Sequence, residues 1–258
     1  VLLEVIGLTK RFGGLSAVSD VSFSIKAGEI VGIFGPNGSG KTTLLNVIAG
    51  ILAPTAGRIL WKAAEIQGKS PHAIAAAGVV KTFQNPQLFM ELSIYDNVAI
   101  ATHLRLMRRF GASRIKELLP WQDSARHAEV TNAIDRVVSL CRLHDVRDRQ
   151  AAGLSYGQEK MLGVAMAMMC DPELLLLDEP ASGLGEEETR TLEEALRDLR
   201  NSGTTLCVID HKVDFLARVA DRTIALQQGS VIAEGPPAEV LRHPCVVEAY
   251  LGRQRARA

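Results

Sequence analysis

The eight residues Gly35-Pro36-Asn37-Gly38-Ser39-Gly40-Lys41-Thr42 constrain this chain more than any other stretch. They match G-x-x-x-x-G-K-[ST], a pattern that cradles phosphate when it follows a strand and opens a helix. Both conditions are legible here. Residues 29–34 are a short apolar, β-prone run bounded by Gly28 and Gly35, which reads as a buried strand. Residues 43–49 carry apolar side chains at helical spacing and stop at Gly50, a suitable helix terminus. The glycines let backbone N–H groups converge on a phosphate, and the helix N-terminus favours its negative charge. Lys41 is expected to reach the β- and γ-phosphates of a nucleotide, and the Thr42 hydroxyl to face Mg²⁺. A Gly-rich turn with a chance lysine is the bland alternative, and its surroundings speak against it.

Composition narrows the classes around this loop. A chain of 258 residues suits one large domain, or a core with a subdomain. It is 47% hydrophobic and 22% charged, as soluble globular proteins are. Lys+Arg and Asp+Glu both total 29, a balance that argues against a protein coating nucleic acid. Cys141, Cys170, Cys207 and Cys245 form no C-x-x-C pair and read as reduced, mostly structural thiols in a cytoplasmic setting. The first four residues lack the basic region of a signal peptide. No apolar run approaches the roughly 20 residues needed to span a bilayer. A role at a membrane would therefore need a partner chain to supply the membrane part.

The pass along the chain predicts an α/β fold. Residues 2–8, 21–25, 58–61 and 79–83 read as strands. From about residue 86 to 170 apolar residues recur at helical spacing, which predicts a helical insert within the α/β core. Strands then return. Leu174–Asp178 is followed by a charged amphipathic helix over Glu186–Asn201, and residues 204–210 by a helix over Val213–Val219. Such alternation implies a mostly parallel sheet covered on both faces. Residues 223–228 and 230–234, split by Gly229, suggest a terminal hairpin, and short helices follow. There are no internal repeats.

Two further stretches carry chemistry. Leu174-Leu175-Leu176-Leu177 make a buried strand, and Asp178-Glu179-Pro180 fall at its C-terminal end, the ligand edge of an open α/β sheet. Asp178 is placed to hold Mg²⁺, directly or through water, and Glu179 to polarise an attacking water as general base. Leu154-Ser155-Tyr156-Gly157-Gln158 has two readings. Ser155 and Gln158 have the spacing of a helix capping box. The same serine and Gly157 at a helix N-terminus also make a second anion site, one that another subunit could close over a γ-phosphate.

On these motifs the chain resembles the ATP-binding subunits of ABC transporters over nearly its whole length. Residues 154–158 resemble the family's LSGGQ signature, with Tyr156 in place of the first glycine. The resemblance implies a P-loop NTPase core with an antiparallel β subdomain and an inserted helical subdomain. In one ABC-type domain over residues 1–258, the core would take residues 1–85 and 171–258, and the helical part about 86–170. It also implies ATP bound by Asn37, Gly38, Ser39, Gly40, Lys41, Thr42 and Thr43, with adenine stacked on Phe12. Gln84 would touch Mg²⁺ and the attacking water, and His211 the γ-phosphate. Ser155, Gly157 and Gln158 would contact the nucleotide of a second chain. Each lesser residue keeps a bland alternative: Phe12 as a core aromatic, Gln84 as a surface amide, His211 as a loop histidine. The remaining histidines, His72, His103, His127, His144 and His243, show no metal-ligand spacing. One departure stands out. After Pro180-Ala181-Ser182-Gly183-Leu184 the family usually carries Asp or Asn, and here stands Gly185 followed by three glutamates.

Several stretches resemble the ATPases of branched-chain amino acid importers: residues 82–89, residues 92–98, the insert at 103–127, Tyr156 in the signature, and the tail from Val231 to Val240 and from Glu248 to Gly252. The resemblance implies an ATPase on the cytoplasmic face of the inner membrane. Its partners would be a second ATP-binding subunit, like or unlike itself, permease subunits and, indirectly, a solute-binding protein. Amide and urea importers share these features. Two other functions stay open: a soluble ABC-type ATPase acting on a protein complex, and a module that senses ATP and hardly hydrolyses it. The basic residues of the insert, Arg105, Arg108, Arg109, Arg114 and Lys116, read as a solvated helix face or as a contact for lipid headgroups or the permease.

Overall fold

The computed structural model describes residues 1–82, 86–110 and 124–255, with side chains outside residues 103–127 and 250–258. Two sheets organise it. The first is antiparallel and runs in the order β2-β1-β4-β5, from β1 (Leu3–Phe12), β2 (Leu15–Ile25), β4 (Ala56–Trp61) and β5 (Ala64–Glu65). The second has the order β10-β9-β3-β8-β7-β6. It is built from β3 (Ile30–Phe34), β6 (Val79–Lys81), β7 (Leu174–Asp178), β8 (Thr205–Ile209), β9 (Arg222–Gln227) and β10 (Ser230–Gly235). Every pairing in it is parallel except the terminal hairpin of β9 and β10. This is the α/β P-loop arrangement that the alternating pattern predicts.

Strands β3, β7 and β8 are buried at every position, which is why they read as unbroken apolar runs. Their alternate side chains feed two cores. Leu174 and Leu176 join Val31 and Ile33 against α1 (Lys41–Ile48), whose Leu44, Leu45 and Ile48 also meet Leu3, Val5 and Ile25 of the antiparallel sheet. Leu175, Leu177 and Val208 face the opposite way. They pack with Ile94 and Val98 of α3 (Ile94–Phe110), Ile134 of α4 (Ser124–Leu140), Leu162 and Ala165 of α5 (Tyr156–Met168), and Leu192 and Leu196 of α6 (Glu186–Asn201). The helices expected between residues 86 and 170 are thus α3, α4 and α5. The basic side chains read in the insert at 103–127 lie outside the described residues. No described helix is long and apolar enough to cross a membrane.

Two elements have no counterpart in the sequence reading. The helix α2 (Pro71–Ala77) is short and alanine-rich, but Ser70 caps it, Pro71 begins it and Gly78 ends it at φ 109. The pair of residues in β5 is too short to show alternation. The remaining helices, α7 (Val213–Val219), α8 (Pro237–Val240) and α9 (Pro244–Arg255), close the chain.

Two expectations follow from this burial. Leu176 is fully buried between β6 and β8, so Leu176→Ala should lower stability by about 2–5 kcal/mol, read by urea unfolding. Burial also pushes the thiols of Cys141 and Cys207 up to about 12, which keeps both protonated and unreactive at pH 8. Iodoacetamide at that pH should alkylate exposed Cys245 in the native protein and reach Cys141 and Cys207 only after denaturant is added.

Candidate functional site

The loop between β3 and α1 is shaped by two close approaches. A Cβ on Gly35 would lie 2.1 Å from the Leu226 carbonyl oxygen, and one on Gly40 would lie 2.1 Å from that of Ala17. Gly40 also has φ 98, so both crowding and backbone conformation demand glycine there. The loop wraps a cleft of about 430 Å³ lined by Ala17, Asn37, Gly38, Gly40, Lys41, Thr42, Thr43, Glu179 and His211. Residues distant in sequence therefore meet as the motifs predict. Glu179 and His211 follow the ends of β7 and β8, on the same sheet edge as the loop after β3.

The cleft is built to receive an anion. Lys41, only 5% exposed, donates from Nζ to the carbonyls of Gly35 (2.8 Å) and Pro36 (3.1 Å). Ser39, in the same loop, is 3% exposed and its Oγ has no hydrogen-bond partner among the described residues. The first N–H groups of α1 open toward the same space.

Beside the cleft, Thr42 Oγ1 donates to Asp178 Oδ1 at 3.3 Å, joining residues 136 apart in the chain. Lys81 Nζ lies 3.0 Å from Asp178 Oδ2 and donates to Asn46 Oδ1 at 2.7 Å. This buried network gives Asp178 a cationic and a hydroxyl partner, which offsets the cost of burying its charge. Among the described residues no cluster of three or more His, Cys, Asp or Glu could cage a metal. A hydroxyl and one carboxylate are hard oxygen donors, and that set fits Mg²⁺ shared with substrate phosphates.

Glu179 is held from several sides in a left-handed conformation, φ 51. Its N–H donates to the Ile209 carbonyl at 2.8 Å, and its own carbonyl accepts from Ser182 N–H at 3.2 Å and from Lys160 Nζ at 2.9 Å. Lys160 is 7% exposed and lies 5.1 Å from the Tyr156 ring centre. Burial pushes its pKa down, while the charges of Asp210 and Glu179 push it back up. Fully buried Asp210 accepts from Ala181 N–H and Lys212 N–H, both at 2.9 Å, and its Oδ1 lies 3.6 Å from His211 Nδ1. The turn that carries Glu179 and the turn that carries His211 are thus fastened to each other.

Phe12 and the residues of the motif at 154–158 lie apart from this cleft. Phe12 ends β1 at 47% exposure, with Lys10 Nζ 5.0 Å from its ring centre, and is not part of the cleft wall. Gln84 lies outside the described residues. Ser155, Gly157 and Gln158 form the N-terminus of α5. Both bonds of the capping box are present: Gln158 N–H donates to Ser155 Oγ at 3.3 Å, and Ser155 N–H to Gln158 Oε1 at 3.0 Å. The donors of this helix end are also taken up by an anion of the same chain. Glu188 Oε1 accepts from Ser155 Oγ at 3.0 Å and from Gly157 N–H at 3.2 Å.

Lys81, Lys160, Asp210 and Glu188 were not identified from sequence as site residues. A lone lysine at a strand end or inside a helix carries no motif. Asp210 had one usable signal, since like Asp178 it follows an apolar strand on the ligand edge.

Comparison with known proteins agrees with this geometry. Residues 18–182 match the family described as ABC transporter, and residues 230–256 match the one described as branched-chain amino acid ATP-binding cassette transporter. The high-affinity branched-chain amino acid transport ATP-binding protein LivG of Salmonella typhimurium is 38% identical, across 97% of this chain and 98% of that protein. The protein of the same description, BraF, from Pseudomonas aeruginosa is also 38% identical over 97% and 98%. A solved ATP-binding cassette of an ABC transporter in its ADP conformation superposes with TM-score 0.81 at 30% identity, covering 97% of this chain and 98% of that one.

The buried ion pair can be tested directly. Lys81→Met leaves the Asp178 carboxylate buried without its cation and should destabilise the nucleotide-free protein by about 3–5 kcal/mol in urea unfolding.

Proposed function

The chain belongs to the ABC transporter family of ATP-binding proteins, within its branched-chain amino acid group, and on that premise we propose how its residues serve a transporter. It is the ATP-hydrolysing subunit that powers uptake of branched-chain or related amino acids through partner permeases. It works as a peripheral subunit on the cytoplasmic face of the membrane. Residues 1–85 and 171–258 serve as the nucleotide-binding core and residues 86–170 as the helical subdomain. The observation that carries this reading is the separation of two anion-ready helix ends. One, at α1, shares a cleft with Glu179 and His211. The other, at α5, lies outside that cleft and has a carboxylate on its donors.

ATP is bound by Asn37, Gly38, Ser39, Gly40, Lys41, Thr42 and Thr43, with its base on Phe12. Lys41 exchanges its bonds to the Gly35 and Pro36 carbonyls for the β- and γ-phosphates. Thr42 and Asp178, with Gln84, would hold Mg²⁺, which would neutralise developing phosphate charge. Glu179 accepts a proton from the attacking water, and His211 steadies the γ-phosphate.

Two chains close head to tail, and Ser155, Gly157 and Gln158 of one complete the phosphate site of the other. The Glu188 carboxylate, accepting from Ser155 and Gly157, supports this reading. Half-exposed Phe89 (52%) and Met90 (43%), a few residues along the chain from Gln84, are apolar side chains suited to a permease helix.

The central test is Glu179→Gln. It should bind ATP, form ATP-dependent dimers in gel filtration, and hydrolyse ATP at least about 100-fold more slowly than the parent. Hydrolysis at the parental rate would remove the general-base role. Rapid hydrolysis by strictly monomeric parent protein would remove the shared site.

A further inference from the structure

Lys160 is a buried cation that the hydrolytic scheme above does not use. A buried lysine needs a reason, because desolvation opposes its charge. Its position supplies one. Helix α5 begins at Ser155, whose hydroxyl and whose neighbour Gly157 N–H hold an anion. Five residues on, about 7–8 Å along the axis, the same helix sends Lys160 Nζ to the carbonyl of Glu179 at 2.9 Å. Two further bonds that set the Glu179 turn, from its N–H to Ile209 and from Ala181 N–H to Asp210, come from the sheet edge, and Ser182 N–H bonds the same carbonyl from within the turn. The Lys160 bond comes from the helix that meets the second chain. Glu179 sits in a conformation that non-glycine residues adopt at a cost, so its set depends on such restraints.

We propose that Lys160 is a positioning residue that couples the seating of the second chain's ATP on the N-terminus of α5 to the placement of Glu179 over the chain's own ATP. This rests on the two-chain reading above. When a phosphate of the second chain replaces the Glu188 carboxylate at Ser155 and Gly157, α5 adjusts at its first turn. The rigid helix carries that adjustment to Lys160, and through its ammonium to the peptide that bears the general base. Each site then becomes competent when the other is filled. The family's usual acidic or amide side chain at residue 185 is missing here, and the link through Lys160 crosses from the α5 end to the base without it.

The test uses the full chain and steady-state kinetics. Lys160→Met keeps the length of the side chain and suits its buried surroundings, so the fold is retained. ATP affinity of the monomer, set at the loop before α1, should be unchanged, and ATP-dependent dimers should still form when Lys160→Met is combined with Glu179→Gln. In the single variant kcat should fall on the order of 10- to 100-fold. Lys160→Arg, which retains a donor at this reach, should recover kcat to within about threefold of the parent. In a double-mutant cycle Ser155→Ala and Lys160→Met should be less than multiplicative in kcat, because both interrupt one path. A parental kcat in Lys160→Met overturns the proposal, as does an arginine variant no faster than the methionine one. Multiplicative losses in the cycle overturn the coupling. If Glu179→Gln with Lys160 intact forms no ATP-dependent dimer, the two-chain reading falls first and the coupling falls with it.

Discussion

The site depends on the register of three parallel strands. Ile33 of β3 lies opposite Ile209 of β8, and Asp178 of β7 lies opposite the same Ile209. The phosphate loop, the Glu179 turn and the His211 turn therefore leave the sheet at one level. A slip of one residue in β7 would turn Asp178 to the opposite face and exchange the two cores that Leu174 and Leu175 feed. Unbroken burial makes the register costly to change. Both faces of these strands are apolar, so position along the strand is fixed by what stands at its end. There the chain from Thr42 through Asp178 and Lys81 to Asn46 ties α1 to β7 and β6 by side-chain bonds. Its central pair, Lys81 and Asp178, are buried charges that are stable only while paired, which makes the geometry close to all-or-none.

Much of this was legible in the chain itself. Helix α6 spans the predicted Glu186–Asn201, because a strongly polar stripe runs opposite Leu192, Leu196 and Leu199. Strand β7 was visible as four leucines ending in a carboxylate, and the loop before α1 was set by glycines that steric contact requires. Helix α1 begins two residues earlier than its apolar spacing suggests, since Lys41 opens it directly after the left-handed Gly40. What sequence could not show were the long-range pairings. Lys81 reaches Asp178 across the sheet, and Lys160 reaches the Glu179 carbonyl from another layer. Such contacts follow from which strands adjoin, and local periodicity contains no record of that. Phe12 shows the converse. Its aromatic character was plain, yet it ends β1 half-exposed and outside the cleft wall.

Gly185 sharpens the meaning of the three glutamates that follow it. It is the N-cap of α6, with φ −70 and ψ 175, an extended conformation that any residue adopts, and a Cβ there would meet nothing within 4 Å. Neither backbone nor packing demands glycine. An Asp or Asn at an N-cap supplies its own side-chain acceptor to the helix N–H groups, and glycine supplies none. Glu188 makes only the reciprocal contact of a capping box, accepting from Gly185 N–H at 3.3 Å through Oε2. Its other oxygen serves Ser155 and Gly157 at the head of α5. One carboxylate thus bonds the starts of two helices at once. An anion arriving at α5 competes for only one of those oxygens. Glu188 can then give up its bonds to α5 and keep its bond to Gly185, so the exchange costs α6 little. Gly185 lies away from the phosphate loop, and its neighbour Glu188 links the starts of α5 and α6.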